Sequence, residues 1–100
     1  MYVSNQLDRD TINMLNLLTL LRDKPMTYEE LWMSGYFKRD KSLGKVIHRL
    51  HRANCIEWME AAKIWVILGR GITLLSFYPN WRALPVEVLD SVLPIGWNGK

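Results

Sequence analysis

The sequence predicts an α+β fold that is mainly helical: three helices, a β-hairpin, and a further helix near the C-terminus. Three observations predict it. Met14, Leu17, Leu18 and Leu21 recur at the spacing of one buried helical face. Leu43, Val46, Ile47 and Leu50 do the same in a second stretch whose other side is cationic. Between Ile56 and Leu68 the pattern changes to short β-branched and aromatic runs around Ala61-Ala62.

The first helix is expected from about Asp8 to Arg22, where Lys24-Pro25 stops it, because the residue before proline disfavours helix. Ile12, Leu15 and Leu20 carry its apolar character almost all round, so it is either deeply buried or meets a partner with a second face. Thr27 and Glu30 have the T-x-x-E spacing of a capping box, flanked by Met26 and Leu31 at the positions of a hydrophobic staple. They predict a short helix from Tyr28 to about Met33, closed by Ser34-Gly35. The third helix is expected from Lys41 to Ala53, with Asp40 as its N-cap and Asn54 as a left-handed C-terminal cap. Gly44 inside it lowers its intrinsic stability by about 1 kcal/mol, which implies tight packing or the close approach of a backbone. Ile56–Glu60 and Lys63–Leu68 read as paired strands, and Gly69-Arg70-Gly71 as the break after them. Ile72–Tyr78 fits either a third strand or a short helix. A last helix is expected from Pro85 to Leu93, leaving a tail to Lys100.

One hundred residues suffice for one core. Hydrophobic residues make up 49% of the chain, too many for a disordered one. No apolar run approaches the roughly 20 residues of a membrane span, and Met1–Gln6 lacks the pattern of a secretory signal. Cys55 is the single cysteine, which excludes an internal disulfide and fits a reducing compartment, so a cytoplasmic location is expected. Trp81 and Trp97 are placed to anchor the tail to the core or to a second subunit.

Charge is distributed unevenly. Residues 38–54 hold six cations, Lys38, Arg39, Lys41, Lys45, Arg49 and Arg52, against Asp40, a local charge of +5. The other seven cations are outnumbered by nine acids. At about 100° per residue, Lys41, Lys45, His48 and Arg52 gather opposite the apolar stripe, with Arg49 at their flank. Such a stripe is the electrostatic footprint of a nucleic-acid reader; the alternative is a solvated helix whose charges confer solubility.

The order of elements resembles the winged helix-turn-helix superfamily, particularly the bacterial and archaeal regulator type. Met26-Thr27-Tyr28-Glu29-Glu30-Leu31 is similar to the capped entry of the second helix. Val46 to Glu57 is similar to a recognition helix, a tight cap and the first wing strand. Trp65 to Leu75 is similar to the return strand and a glycine-bearing final turn or helix. The resemblance covers about residues 8 to 77. Asn54 stands where the superfamily usually has glycine, and Met33–Asp40 is longer than a minimal turn.

The resemblance implies a three-helix core with a β-hairpin wing over residues 1–78. Residues 79–100 would form a C-terminal helix and tail, packing on that domain or building a dimer interface. It implies that the third helix enters the major groove of double-stranded DNA. Lys41, Ser42 and Lys45 would then reach base edges or the groove, and Lys38, Arg49 and Arg52 the phosphates. Arg39 and His48 complete the basic face, and Lys63 is the cation at the tip of the wing, beside Glu60. The implied function is sequence-specific transcriptional regulation, as a homodimer through helix one and the C-terminal helix. The alternative is a protein-interaction adaptor, or a mobile-element inhibitor that binds a host complex through the same scaffold.

Neither a metal nor a cofactor is expected. His48, His51 and Cys55 share a helical spacing, but no C-x-x-C or H-E-x-x-H pattern supports a zinc site. No nucleophile, base and orienting acid assemble into a catalytic set, and Gly69-Arg70-Gly71 is too short for a phosphate loop, so no enzymatic activity is expected.

Overall fold

The computed structural model describes residues 9–37, 40–79 and 81. Its elements run α1 (Arg9–Asp23), α2 (Tyr28–Met33), α3 (Asp40–Arg52), β1 (Ile56–Met59), β2 (Ile64–Ile67) and α4 (Gly69–Ser76). The chain is thus an α+β fold, mainly helical, with a two-stranded antiparallel hairpin.

α1 is the centre of the assembly, touching α3, α4 and β2. That answers the question raised by its all-round apolar character. Ile12, Leu15, Leu17, Leu18 and Leu21 are all buried, against three different neighbours. The second apolar face that suggested a partner is used within the domain itself. Even Asn13, Asn16 and Thr19 are buried, and the Thr19 hydroxyl donates to the Leu15 carbonyl at 2.7 Å.

α2 begins as its capping box requires. Thr27 Oγ1 accepts from the Glu30 N–H at 3.0 Å, and Glu30 Oε1 accepts from the Thr27 N–H at 2.9 Å. Met26 has a further task. Its N–H donates to the Trp65 carbonyl at 3.2 Å and its carbonyl accepts from the Trp65 N–H at 2.7 Å. This single antiparallel bridge ties the entry of α2 to the outer edge of β2. After α2 the chain turns through Gly35, whose φ of +84° suits glycine, and Phe37 buries itself in the core. The long connection to α3 is therefore anchored.

α3 starts at Asp40 itself, so Asp40 is a helical residue rather than the expected N-cap before Lys41. Its last helical residue is Arg52, one short of the expected Ala53. Asn54 takes the left-handed conformation, with φ +61°. The Cys55 N–H then donates to the Leu50 carbonyl at 2.9 Å and the Asn54 N–H to the His51 carbonyl at 3.1 Å. Those two bonds are a Schellman closure with asparagine in the usual glycine place. It points the chain directly into β1.

The hairpin pairs Ile56 with Ile67 and Trp58 with Trp65. The Trp58 and Trp65 rings lie 5.1 Å apart, and His51 meets Trp65 edge-on at 5.5 Å. The end of α3 and the hairpin are thereby joined by aromatic contact. Lys63 closes the turn with φ +57°.

The open choice for Ile72–Tyr78 resolves as helix, and Gly69-Arg70-Gly71 opens that helix rather than merely breaking the strand. Gly71 explains both points. A Cβ there would lie 2.6 Å from the Cys55 carbonyl oxygen, 2.8 Å from Ile67 Cγ1 and 3.0 Å from Leu18 Cδ2. The helix can lie this close only without a side chain. Leu75 is buried and Leu74 half-buried, whereas the β-branched Ile72 and Thr73, which favoured a strand, face solvent. Trp81 packs against the core as an anchor. The expected helix at 85–93 and Trp97 lie outside the described residues.

Candidate nucleic-acid interface

α3 is sharply two-sided. Leu43, Val46, Ile47 and Leu50 are buried, each at 7% exposure or less. Lys41, Lys45, His48, Arg49 and Arg52 are all exposed. The two faces follow from spacing alone, since positions three and four apart share a side of a helix. Lys45, His48, Arg49, Arg52 and Ala53 line one open concavity on the outer surface. Of the other expected contacts, Ser42 is half-buried and Lys38 and Arg39 lie outside the described residues. Lys63 stands in the β1–β2 turn rather than on α3.

One residue that sequence reading missed modifies this face. Asp10, in the first turn of α1, places Oδ2 3.7 Å from Lys45 Nζ and 3.7 Å from Arg49 Nη1. Asp10, Ser42, Lys45 and Arg49 line a narrow crevice between the two helices, with Asn13, Met14 and Val46 at its base. The carboxylate neutralises part of the charge that α3 presents. All three side chains are about half exposed, so each contact adds no more than about 1 kcal/mol. No local motif signals it: Asp10 reads as an ordinary acid at a helix start, and its partners lie more than thirty positions away.

The hairpin turn is electrically quiet. Glu60 accepts from Lys63 Nζ, and from Trp58 Nε1 at 2.8 Å. These two bonds, Lys63 first, hold the Glu60 carboxyl below its usual range. Lys63 thus has an acidic partner at its own turn.

The remaining candidates separate. His48 faces solvent, His51 turns its ring edge to Trp65, and Cys55 is buried with Sγ 3.9 Å from the Ala53 carbonyl oxygen. Burial pushes the Cys55 thiol up, with the Arg70 charge pulling the other way, so the thiolate is disfavoured. Among the described residues no three His, Cys, Asp or Glu side chains gather as a metal site, and no helix is long and apolar enough to cross a membrane.

Comparison with protein families, with curated proteins and with solved structures found no match to this chain.

Proposed function

We propose that this chain is a winged helix-turn-helix protein that binds double-stranded DNA through α3 and regulates transcription. The observation that carries the reading is the placement of charge. Five side chains able to carry positive charge stand together on the solvent side of a helix whose other side is fixed in the core. The order α1, α2, α3, hairpin supports the same reading, because α3 follows a short capped helix and leads into the hairpin. In this mechanism the first turns of α3, with Lys41, Ser42 and Lys45, enter the major groove. Lys38, Arg39, Arg49 and Arg52 neutralise phosphates and set the register. A two-fold dimer would set two copies of α3 on half-sites about 34–36 Å apart. Because α1 spends its apolar residues inside the domain, such a dimer would draw mainly on residues 79–100.

The test is fluorescence anisotropy of labelled random-sequence duplex, titrated with wild type and with Lys45→Glu/Arg49→Glu/Arg52→Glu. All three side chains point away from the core, so the variant should keep its circular dichroism spectrum, with a melting temperature lowered only by the loss of the Asp10 pairs. Wild-type affinity should fall with a log–log salt slope of about −3 to −4, as expected for about four phosphate contacts. The variant should lose binding. No wild-type binding at low salt, or equal binding by the folded variant, would sink the reading.

A second reading has its own support. Asp10 and Glu60 offset three cations of the outer surface, and Trp32 and Met33 are exposed on α2. A protein-interaction adaptor, or a mobile-element inhibitor of a host complex, would use such a mixed surface. Absence of duplex binding together with loss of a captured protein on α2 substitution would favour it.

A further inference from the structure

Gly35, Gly44, Gly69 and Gly71 lie among the described residues, and of these Gly44 alone stands inside a helix with free space around it. Gly35 takes a positive φ, Gly71 has no room for a side chain, and Gly69 is the first residue of α4, where the penalty for an interior glycine does not apply. Gly44 is different. It is the fifth of the thirteen residues of α3, in the helix interior. A Cβ added there meets nothing within 4 Å. The tight internal packing that its position suggested is therefore not the explanation. The helix carries an interior glycine, a residue that weakens it, at a position open to solvent.

The surroundings of Gly44 say what fills that space. Lys41 is one turn before it, His48 one turn after, and Lys45 beside it, all exposed. Gly44 is a bare patch of helix backbone at the edge of the basic face, with these three side chains along one flank and the buried Ile47 on the other.

We infer that Gly44 is the point where the α3 backbone comes closest to its ligand: the backbone there sits directly on the floor of a duplex groove while Lys41, Lys45 and His48 reach past it along one flank. The inference rests on the nucleic-acid reading of α3 and deepens it by naming where the helix seats. Long side chains bridge a gap of several ångströms; a helix backbone touches a groove floor only where no side chain stands between. Glycine gives that approach, at a cost to the helix.

The experiment separates this inference from the reading beneath it. Gly44→Ala, Gly44→Leu and the control Gly69→Ala are measured for melting temperature and for anisotropy with the same labelled duplex. Gly44→Ala should raise the melting temperature by about 4–8 °C, because alanine restores helix propensity at a site with free space. It should nevertheless weaken duplex binding by about fivefold or more, and Gly44→Leu should weaken it further. Gly69→Ala should bind as wild type does. A more stable protein that binds worse cannot be explained by misfolding. Wild-type binding that both Gly44 variants retain in full would overturn the inference and leave the nucleic-acid reading standing. A lowered melting temperature for Gly44→Ala would also overturn it, by showing a need for glycine within the fold. Absence of wild-type binding would end both.

Discussion

Asp10 sets how much charge α3 offers to a ligand. Its carboxylate lies between Lys45 and Arg49, at 3.7 Å from each, and all three groups remain in contact with water. In that setting a phosphate can displace it, since an exposed ion pair is worth about 1 kcal/mol or less. Asp10→Asn should therefore free both cations. Duplex affinity should rise by about two- to fivefold, and the salt dependence should steepen. The folded state should lose under about 1 kcal/mol, from the ion pairs and from the favourable acid at the start of α1. Anisotropy titrations at two salt concentrations, with a denaturant melt, check both halves. Weaker binding by Asp10→Asn would instead make Asp10 a brace that holds Lys45 and Arg49 in their working positions, and unchanged binding would mean that it sets neither their charge nor their place. The basic face was legible from sequence, because helical spacing fixes which side chains share a side. Its acidic partner was not, because the meeting of α1 and α3 depends on how the whole core packs.

At the scale of elements, closing signals were read more surely than conformations set by distant contact. The capping box at Thr27 and Glu30 and the Asn54 cap are local chemistry, and both stand where the residues required them. α4 is the contrary case. Ile72 and Thr73 favour strand by their branching, and neither is buried. The helix is decided by Gly71, which must lie against the Cys55 carbonyl, Ile67 and Leu18. Residues far apart in sequence create that requirement, so no local pattern announces it. Gly71→Ala should accordingly cost about 1–3 kcal/mol, because its Cβ meets a backbone oxygen that cannot rotate away. Chemical denaturation of the variant measures this directly. A midpoint equal to wild type would mean that α4 shifts outward without loss. Gly44→Ala makes the opposite prediction from the same substitution type, and the contrast separates a glycine needed for packing from one that packing leaves open.

The whole molecule has one shared core, and α1 is its common wall. α3, α4 and β2 each lean on that helix. Leu18, fully buried, also lies beside the Gly71 contact, at the meeting of α1 and α4. Removing its side chain leaves a cavity that none of these elements can fill alone, so Leu18→Ala should cost about 2–5 kcal/mol. Against a total of about 5–15 kcal/mol for a domain, that loss should move the entire unfolding transition. Far-ultraviolet circular dichroism reports mainly the helices, while the fluorescence of the five tryptophans includes both hairpin rings, Trp58 and Trp65. The two probes should shift together and remain coincident. Separate transitions, with the hairpin signal lost before the helical one, would show that β1 and β2 are only loosely joined to the rest. The same coupling bears on ligand binding. α3 holds its outer face in place because its inner face is fixed against α1, with β1 and α2 beside it. Leu18→Ala should therefore lose duplex binding at the temperature where it unfolds, and bind as wild type does below it. Charge reversal on α3 should do the reverse, removing binding at every temperature while moving the transition only by the loss of the Asp10 pairs.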